Sequence, residues 1–337
     1  MSLSDTQIKE VLINHGYLNI GEIGRDECIQ RDRSTLSKIV IVDHNHHPVL
    51  YLIEKTTLAD TQPFENQMYA LFSKGRTAQH IPKVFYNHFD EAQQRGILLL
   101  EDLSQAYHNL SDWNPPIHKE QLLPILESVS AFHRLGWSVC NEELLPIHLK
   151  DEQSYLTHLG YLERDYLFFK QENPFHFQDD DFKMYEESLD RLHQKASFYI
   201  ERMTSYTNTT IIHGDMNVGN LMYPRNGIEN VKIIDLEAIR IGLCTEDLIM
   251  LFIHDLFHGQ EITLEILKTY YRYLTRDDKG IAYSYDEFME DFKFSLSEGI
   301  FFPLKLFTLH GIRDEEFLHR SISAYKAFID EPLVADN

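Results

Sequence analysis

Asp215, Asn220 and Asp235 stand in one stretch, "IIHGDMNVGNLMYPRNGIENVKIIDLEAIR" (211–240), where oxygen-bearing side chains interrupt runs of Ile, Val and Leu. A carboxylate and an amide on one loop, with a second carboxylate just after the apolar run "VKII", form a hard oxygen donor set that suits Mg²⁺ better than zinc. Proton chemistry needs a carboxylate left over. Asp215, five residues before Asn220 on the same loop, is the candidate to accept a hydroxyl proton.

Such loops must be aimed by strands, and the sequence supplies them. "TTIIHGD" and "VKIIDLE" read as short strands inside a part of the chain that is otherwise helical, from "HKEQLLPILESVSAFHRLGW" to the end. Before residue 104 the order is different. "SDTQIKEVLINHG" reads as a helix capped by Ser4 or Asp5 and ended by Gly16. "EIGRDECIQ", "KIVIVD" and "VLYLIEK" follow as strands, "QPFENQMYALFSKG" as a helix stopped by Gly75, and "PKVFYNHF" and "GILLLEDL" as two further strands. The length exceeds what one core of about 250–300 residues supports, so two lobes are expected, 1–103 and 104–337.

"HGDMNVGN" resembles the catalytic loop of the aminoglycoside phosphotransferase and choline kinase-like families, and "IIDLE" resembles their metal-binding segment. The resemblance extends over roughly residues 20–255 and touches the ecdysteroid kinase-like branch through "LLLEDL". It implies an α+β, bilobal protein kinase-like fold: a small antiparallel sheet with one main helix, then a larger and mostly helical lobe. The implied activity is transfer of the γ-phosphoryl group of ATP, with Mg²⁺, to a hydroxyl of a small molecule. A kinase-like binding protein without catalysis is the alternative.

Position by position, the resemblance makes Asp215 the base and Asn220 and Asp235 the metal ligands. Lys55, ending "VLYLIEK", becomes the phosphate lysine, and Glu65 its partner on the next helix. Glu101 and Leu103 fall in the hinge that would hold adenine. His213 and Asp247 become braces of the catalytic loop. The phosphate-covering loop, "CIQRDRSTLSK", has no glycine, so hydroxyls of Ser34, Thr35 or Ser37 would serve, as a serine does here in some antibiotic kinases, and Ser37 is the one assigned to ATP.

Bulk composition narrows the partners. The formal charge is −22, with −4 over residues 1–103 and −18 over the remainder, which argues against nucleic acid and tilts the acceptor toward a cation. No apolar run reaches the ~18 residues of a membrane span, and the N-terminal residues lack a basic start with an apolar core, so a cytoplasmic protein is expected. Oligomeric state is not readable. Cys28, Cys140 and Cys244 lack metal spacing and are read as buried small hydrophobes. Histidines 44, 46 and 47 read as a turn, and "HDLFH" (254–258) lacks the third ligand that a zinc helix needs. The aromatic stretch 161–177 reads as core and surface, with the acceptor pocket as its other reading.

Overall fold

The computed structural model describes residues 2–31, 33–57, 63–112, 119–139, 151–175, 177–256, 264–276 and 281–330. In chain order the first elements are α1 (Asp5–Asn14), β1 (Ile23–Gln30), β2 (Ser34–Val42), β3 (Pro48–Thr57), α2 (Phe64–Phe72), β4 (Val84–Asp90), β5 (Arg95–Glu101) and β6 (Tyr107–Asn109). Then come α3 (Lys119–Val139), α4 (Glu152–Glu172), α5 (Asp179–Gln194), α6 (Ala196–Ser205), β7 (Thr210–Ile212), β8 (Leu221–Pro224), β9 (Lys232–Ile233) and β10 (Arg240–Gly242). The chain continues with α7 (Cys244–Ile249), a π-helical turn (Met250–Leu256), α8 (Leu264–Thr275), α9 (Tyr285–Gly299), α10 (Phe302–His310) and α11 (Glu315–Tyr325).

The chain forms two compact units: Met1–Asp112 with Gly219–Glu237, and Trp113–Val218 with Ala238–Asn337. The expected division after residue 103 therefore moves to 112, and 219–237 joins the first unit. The physical reason is a small antiparallel sheet, β6-β8-β9, which β6 can complete only by pairing with β8.

The first unit holds a five-stranded antiparallel sheet in the order β1-β2-β3-β5-β4. Side chains alternate across it. Ile39, Ile41, Leu52 and Leu99 turn to one face and pack with Ile8 and Leu12 of α1. Lys55 and Ile53, one residue out of phase with Leu52, turn to the other. Ser4 caps α1 in a capping box with Gln7, and Gly16 beyond its end takes φ +88°. The second helix ends at Phe72 with Ser73 as its cap, short of Gly75, which instead opens a 3₁₀ turn.

The second unit is helical apart from the pair β7-β10. Its α3 crosses β7 closely: a Cβ on Gly136 would fall 2.3 Å from Thr210 Oγ1, and that hydroxyl donates to the His133 carbonyl at 2.5 Å. Cys244 is buried here, as expected. Cys28 is exposed, against expectation, because β1 is an edge strand with one side of the sheet left uncovered. Cys140 and His258 lie outside the described residues.

Candidate functional site

In the first unit the three N–H bonds of the Lys55 ammonium meet three carboxylates. Its Nζ lies 2.8 Å from Glu65 Oε1, 2.7 Å from Asp235 Oδ1 and 2.8 Å from Glu237 Oε1. Each partner comes from a different local cause. Lys55 is brought in by strand parity on β3, and Glu65 by the first turn of α2. Asp235 follows β9 at φ +64°, a left-handed conformation that aspartate tolerates better than most residues. Glu237 lies in the 3₁₀ turn that follows.

The electrostatics follow from burial. Burial alone would pull Lys55 down, but Glu65, Asp235, Tyr69 and Glu237 together hold it well above the usual lysine range. Burial pushes Glu65 up to about 7, with Lys55 opposing and the two neighbouring carboxylates adding to the rise. Glu65 Oε2 is buried with no hydrogen-bond partner among the described residues, which agrees with a carboxyl that holds its proton easily.

Beside this cluster is a cavity of about 270 Å³ built entirely from first-unit residues. Lys55, Glu101, Leu103, Asn220 and Asp235 all line it, so five expected residues converge. Glu65 does not line it and sits behind Lys55. Apolar walls come from Leu36, Ile53, Leu100, Met222 and Ile234. At the hinge the Leu103 carbonyl accepts from the Ala106 and Tyr107 N–H groups, which turns the chain toward β6.

Ser37 needs correction. In the β2 register it pairs with Glu54 and shares the face of Ile39 and Ile41, on the α1 side, whereas Ser34 and Leu36 line the cavity. Thr35 is engaged with Gln30. Arg31, at the start of the β1–β2 turn, also lines the cavity and brings a cation to a loop without glycine. Sequence reasoning missed Arg31, and among Ser34, Thr35 and Ser37 it settled on Ser37; counting parity back from Lys55 through its β2 neighbour Leu36 selects Ser34.

Asp215 lies in the second unit and is exposed. Its loop is tied from behind by buried Asp247, whose Oδ2 accepts from the His213 N–H at 2.7 Å and whose Oδ1 accepts from the Gly214 N–H at 2.9 Å. His133 Nε2 donates to the same carboxylate at 2.9 Å, while its Nδ1 meets the Tyr270 hydroxyl at 2.6 Å. Burial opposes ionisation of Asp247, but the His133 bond and the backbone donors outweigh it and hold the carboxyl below its usual range. The Asp215 N–H donates to His213 Nδ1 at 3.3 Å, and Asn217 Nδ2 donates to Asp215 Oδ1 at 3.0 Å. The carboxylate is thus aimed by its own loop.

A second cavity, of about 350 Å³, lies wholly within this unit and is lined by Gly214, next to Asp215. Among the described residues of the aromatic stretch 161–177, Leu162 alone reaches it; Tyr166 and Phe169 are core, and Tyr161 and Phe168 are exposed. Two ion pairs stand in its wall, Arg240–Glu246 at 2.8 Å and His158–Glu298 at 2.9 Å. Burial alone would lower His158, yet Glu298 holds it above its usual value.

Asn220 and Asp235 offer an amide and a carboxylate oxygen to the first cavity, and with Glu237 the donor set is all oxygen, which fits Mg²⁺. Among the described residues, Glu65, Asp235 and Glu237 bring carboxylate oxygens within 4.8 Å of one another. The turn at 44–47 is organised without metal, by Asp43 Oδ1 accepting from the Asn45 and His47 N–H groups. No helix among the described residues is long and apolar enough to cross a membrane.

With this geometry in hand, comparison with known proteins is informative. Residues 55–312 match the DUF1679 family model, described as "Uncharacterized oxidoreductase dhs-27". No curated protein matches the sequence. Among solved structures, a protein of Ralstonia eutropha JMP134 classed with the aminoglycoside phosphotransferases superposes with TM-score 0.53 at 14% identity, over 94% of both chains. The amicoumacin kinase hAmiN, solved with AMP-PNP, Ca²⁺ and Ami, gives 0.50 at 12% identity over 96% of both. The fold is that of these kinases.

Proposed function

We infer, from the premise that this chain belongs to the DUF1679 family and has the kinase-like α+β fold, that it is an ATP- and Mg²⁺-dependent phosphotransferase acting on a hydroxyl of a small molecule. The observation that carries this reading is the convergence of Lys55, Asn220, Asp235, Glu101 and Leu103 on one cavity with apolar walls.

In this reading the base lies between those walls, with its edge toward the backbone at Glu101–Leu103. Lys55, fixed by Glu65, binds the phosphates, and Arg31 and Ser34 add a cation and a hydroxyl at the β1–β2 turn. Mg²⁺ held by Asn220 and Asp235 supplies charge neutralisation at the phosphate oxygens. Asp215 orients the acceptor hydroxyl and takes its proton as the oxygen attacks phosphorus in line and the bond to ADP breaks. The Asp247 brace keeps the His213–Asp215 backbone from relaxing away from that task.

The word oxidoreductase in the family description finds no support in this geometry. Dinucleotide sites of the doubly wound type need a parallel sheet, and every strand pair among the described residues is antiparallel. The deciding experiment is a calorimetric titration of Mg-ATP paired with ADP release across a panel of hydroxylated metabolites. Mg-ATP binding that is weakened by Asp235→Ala, with acceptor-dependent ADP release, is the expected result. Nucleotide binding without any acceptor-dependent turnover would instead favour a binding module, and absence of nucleotide binding would end the kinase reading.

A further inference from the structure

The cavity beside Gly214 specifies an acceptor chemistry. Its two carboxylates are already matched to cations, Glu246 to Arg240 and Glu298 to His158. An ammonium group entering it would meet carboxylates that are already paired and would lie beside the Arg240 and Lys305 cations. The donors are differently placed. Arg240 Nε is buried with no hydrogen-bond partner among the described residues, and its Nη1 stands so close to Gly214 that a Cβ there would fall 2.2 Å away. The guanidinium therefore lies against the residue preceding Asp215 and lines the cavity, with its Nη2 donating to Glu246.

Lys305, exposed, adds a further cation to the lining. Arg240 and Lys305 match Glu246 and Glu298 in number, so the lining is balanced although the unit as a whole is acidic. Opposite these groups, Leu162, Ile249, Met250, Phe301 and Phe302 supply an apolar wall. A guanidinium in the wall of a partly apolar pocket makes charge-assisted bonds, and a ligand oxygen that accepts from it gains more than from a neutral donor.

We propose that the acceptor is an alcohol on an apolar skeleton that carries a hydrogen-bond-accepting oxygen group, a carboxylate or carbonyl, read by Arg240, and that amine-bearing alcohols are disfavoured. This rests on the phosphotransferase reading for its consequence but not for its measurement, because binding to this cavity is scored without nucleotide.

The test uses three probes on one skeleton: 3-phenyllactate, 3-phenyl-1,2-propanediol and phenylalaninol, titrated by ligand-observed NMR into the full chain. Expected is an affinity order of phenyllactate over diol over phenylalaninol. Arg240→Lys, which keeps the charge and loses the Nε donor, should weaken phenyllactate about tenfold. Lys305→Glu, at an exposed position where folding is not at issue, should weaken it about threefold and leave the diol unchanged. A preference for phenylalaninol, equal affinity for all three, or no binding by any of them at millimolar concentration overturns the proposal. A parallel Mg-ATP titration on the same samples reports separately on the parent reading.

Discussion

Lys55 and Asp235, 180 residues apart in the chain, meet at 2.7 Å. That bond closes the third side of a carboxylate cage around one ammonium, and it couples the strand that bears the lysine to the loop that bears the proposed metal ligand. A phosphate reaching Lys55 must take over at least one of its three donor bonds. Lys55→Ala leaves buried Glu65 facing two partly exposed carboxylates, so it should destabilise the protein by about 2–3 kcal/mol. Urea denaturation midpoints of the wild type and variant measure this, and a loss under 1 kcal/mol would mean the cage is not formed in solution.

Glu65 gives a pH signature. Its folded value, about 7, lies above the ordinary 4.5, so the folded state binds the proton more tightly than the unfolded chain. Its contribution to stability is then fully present below 4.5 and is lost as pH rises through about 7. Glu65→Gln removes that titration. Thermal midpoints of wild type minus variant should rise as pH falls from about 7 to 4.5 and flatten below; a difference independent of pH contradicts the assignment.

Asp215→Ala should lower turnover by roughly 10²–10⁴-fold, the usual worth of a positioned base, while leaving Mg-ATP affinity in place. Its carboxylate is exposed and accepts from Asn217 of the same loop, so thermal melting of the variant alongside the assay separates loss of the base from loss of fold. Unaltered turnover in the variant would remove Asp215 from the mechanism.

Asp247→Asn replaces an acceptor of the His213 and Gly214 N–H groups by an amide whose NH₂ end opposes one of them. The expected loss is about 2–3 kcal/mol of stability, with faster amide exchange at residues 213 and 214. Because the Asp247 carboxyl is held below 3.8, the wild-type advantage should persist at pH 5 and fade only as pH falls beneath 3.8. Hydrogen exchange that is unchanged at those two amides would refute the brace.

Gly214→Ala meets two obstacles at once, φ +76° and a Cβ placed 2.2 Å from Arg240 Nη1 and 2.3 Å from the Ala238 carbonyl oxygen. A loss of about 2 kcal/mol or more is expected from chemical denaturation. A neutral result would imply that the loop sits elsewhere.

Much of this was legible because the chemistry is local. Asp215, Asn220 and Asp235 lie within one stretch whose strand and loop alternation is plain, and Lys55 and Glu65 sit where strand end and helix start are strongly patterned. What escaped depends on register. Ser37 and Ser34 are equally serine, and only the pairing of Leu36 with Lys55 shows that Ser34 shares the lysine's face. The three-residue strand β6 is too short to leave a periodic signal, so its partnership with β8, and with it the reach of the first unit, could not be read. Cys28 was read as core from the usual burial of free cysteines, but it stands on an edge strand rich in charged residues and is exposed.

The first unit begins at residue 1 yet ends at Glu237, with the segment 113–218 belonging elsewhere. During synthesis its five-stranded sheet can form once β5 has emerged, whereas β6 must wait through more than a hundred residues for β8. Asn220 and Asp235 arrive with that late segment. The cavity beside Lys55 is therefore begun first and closed last, and a nascent chain stalled before residue 219 would hold Lys55 and Glu65 as an ion pair still lacking its other two carboxylates.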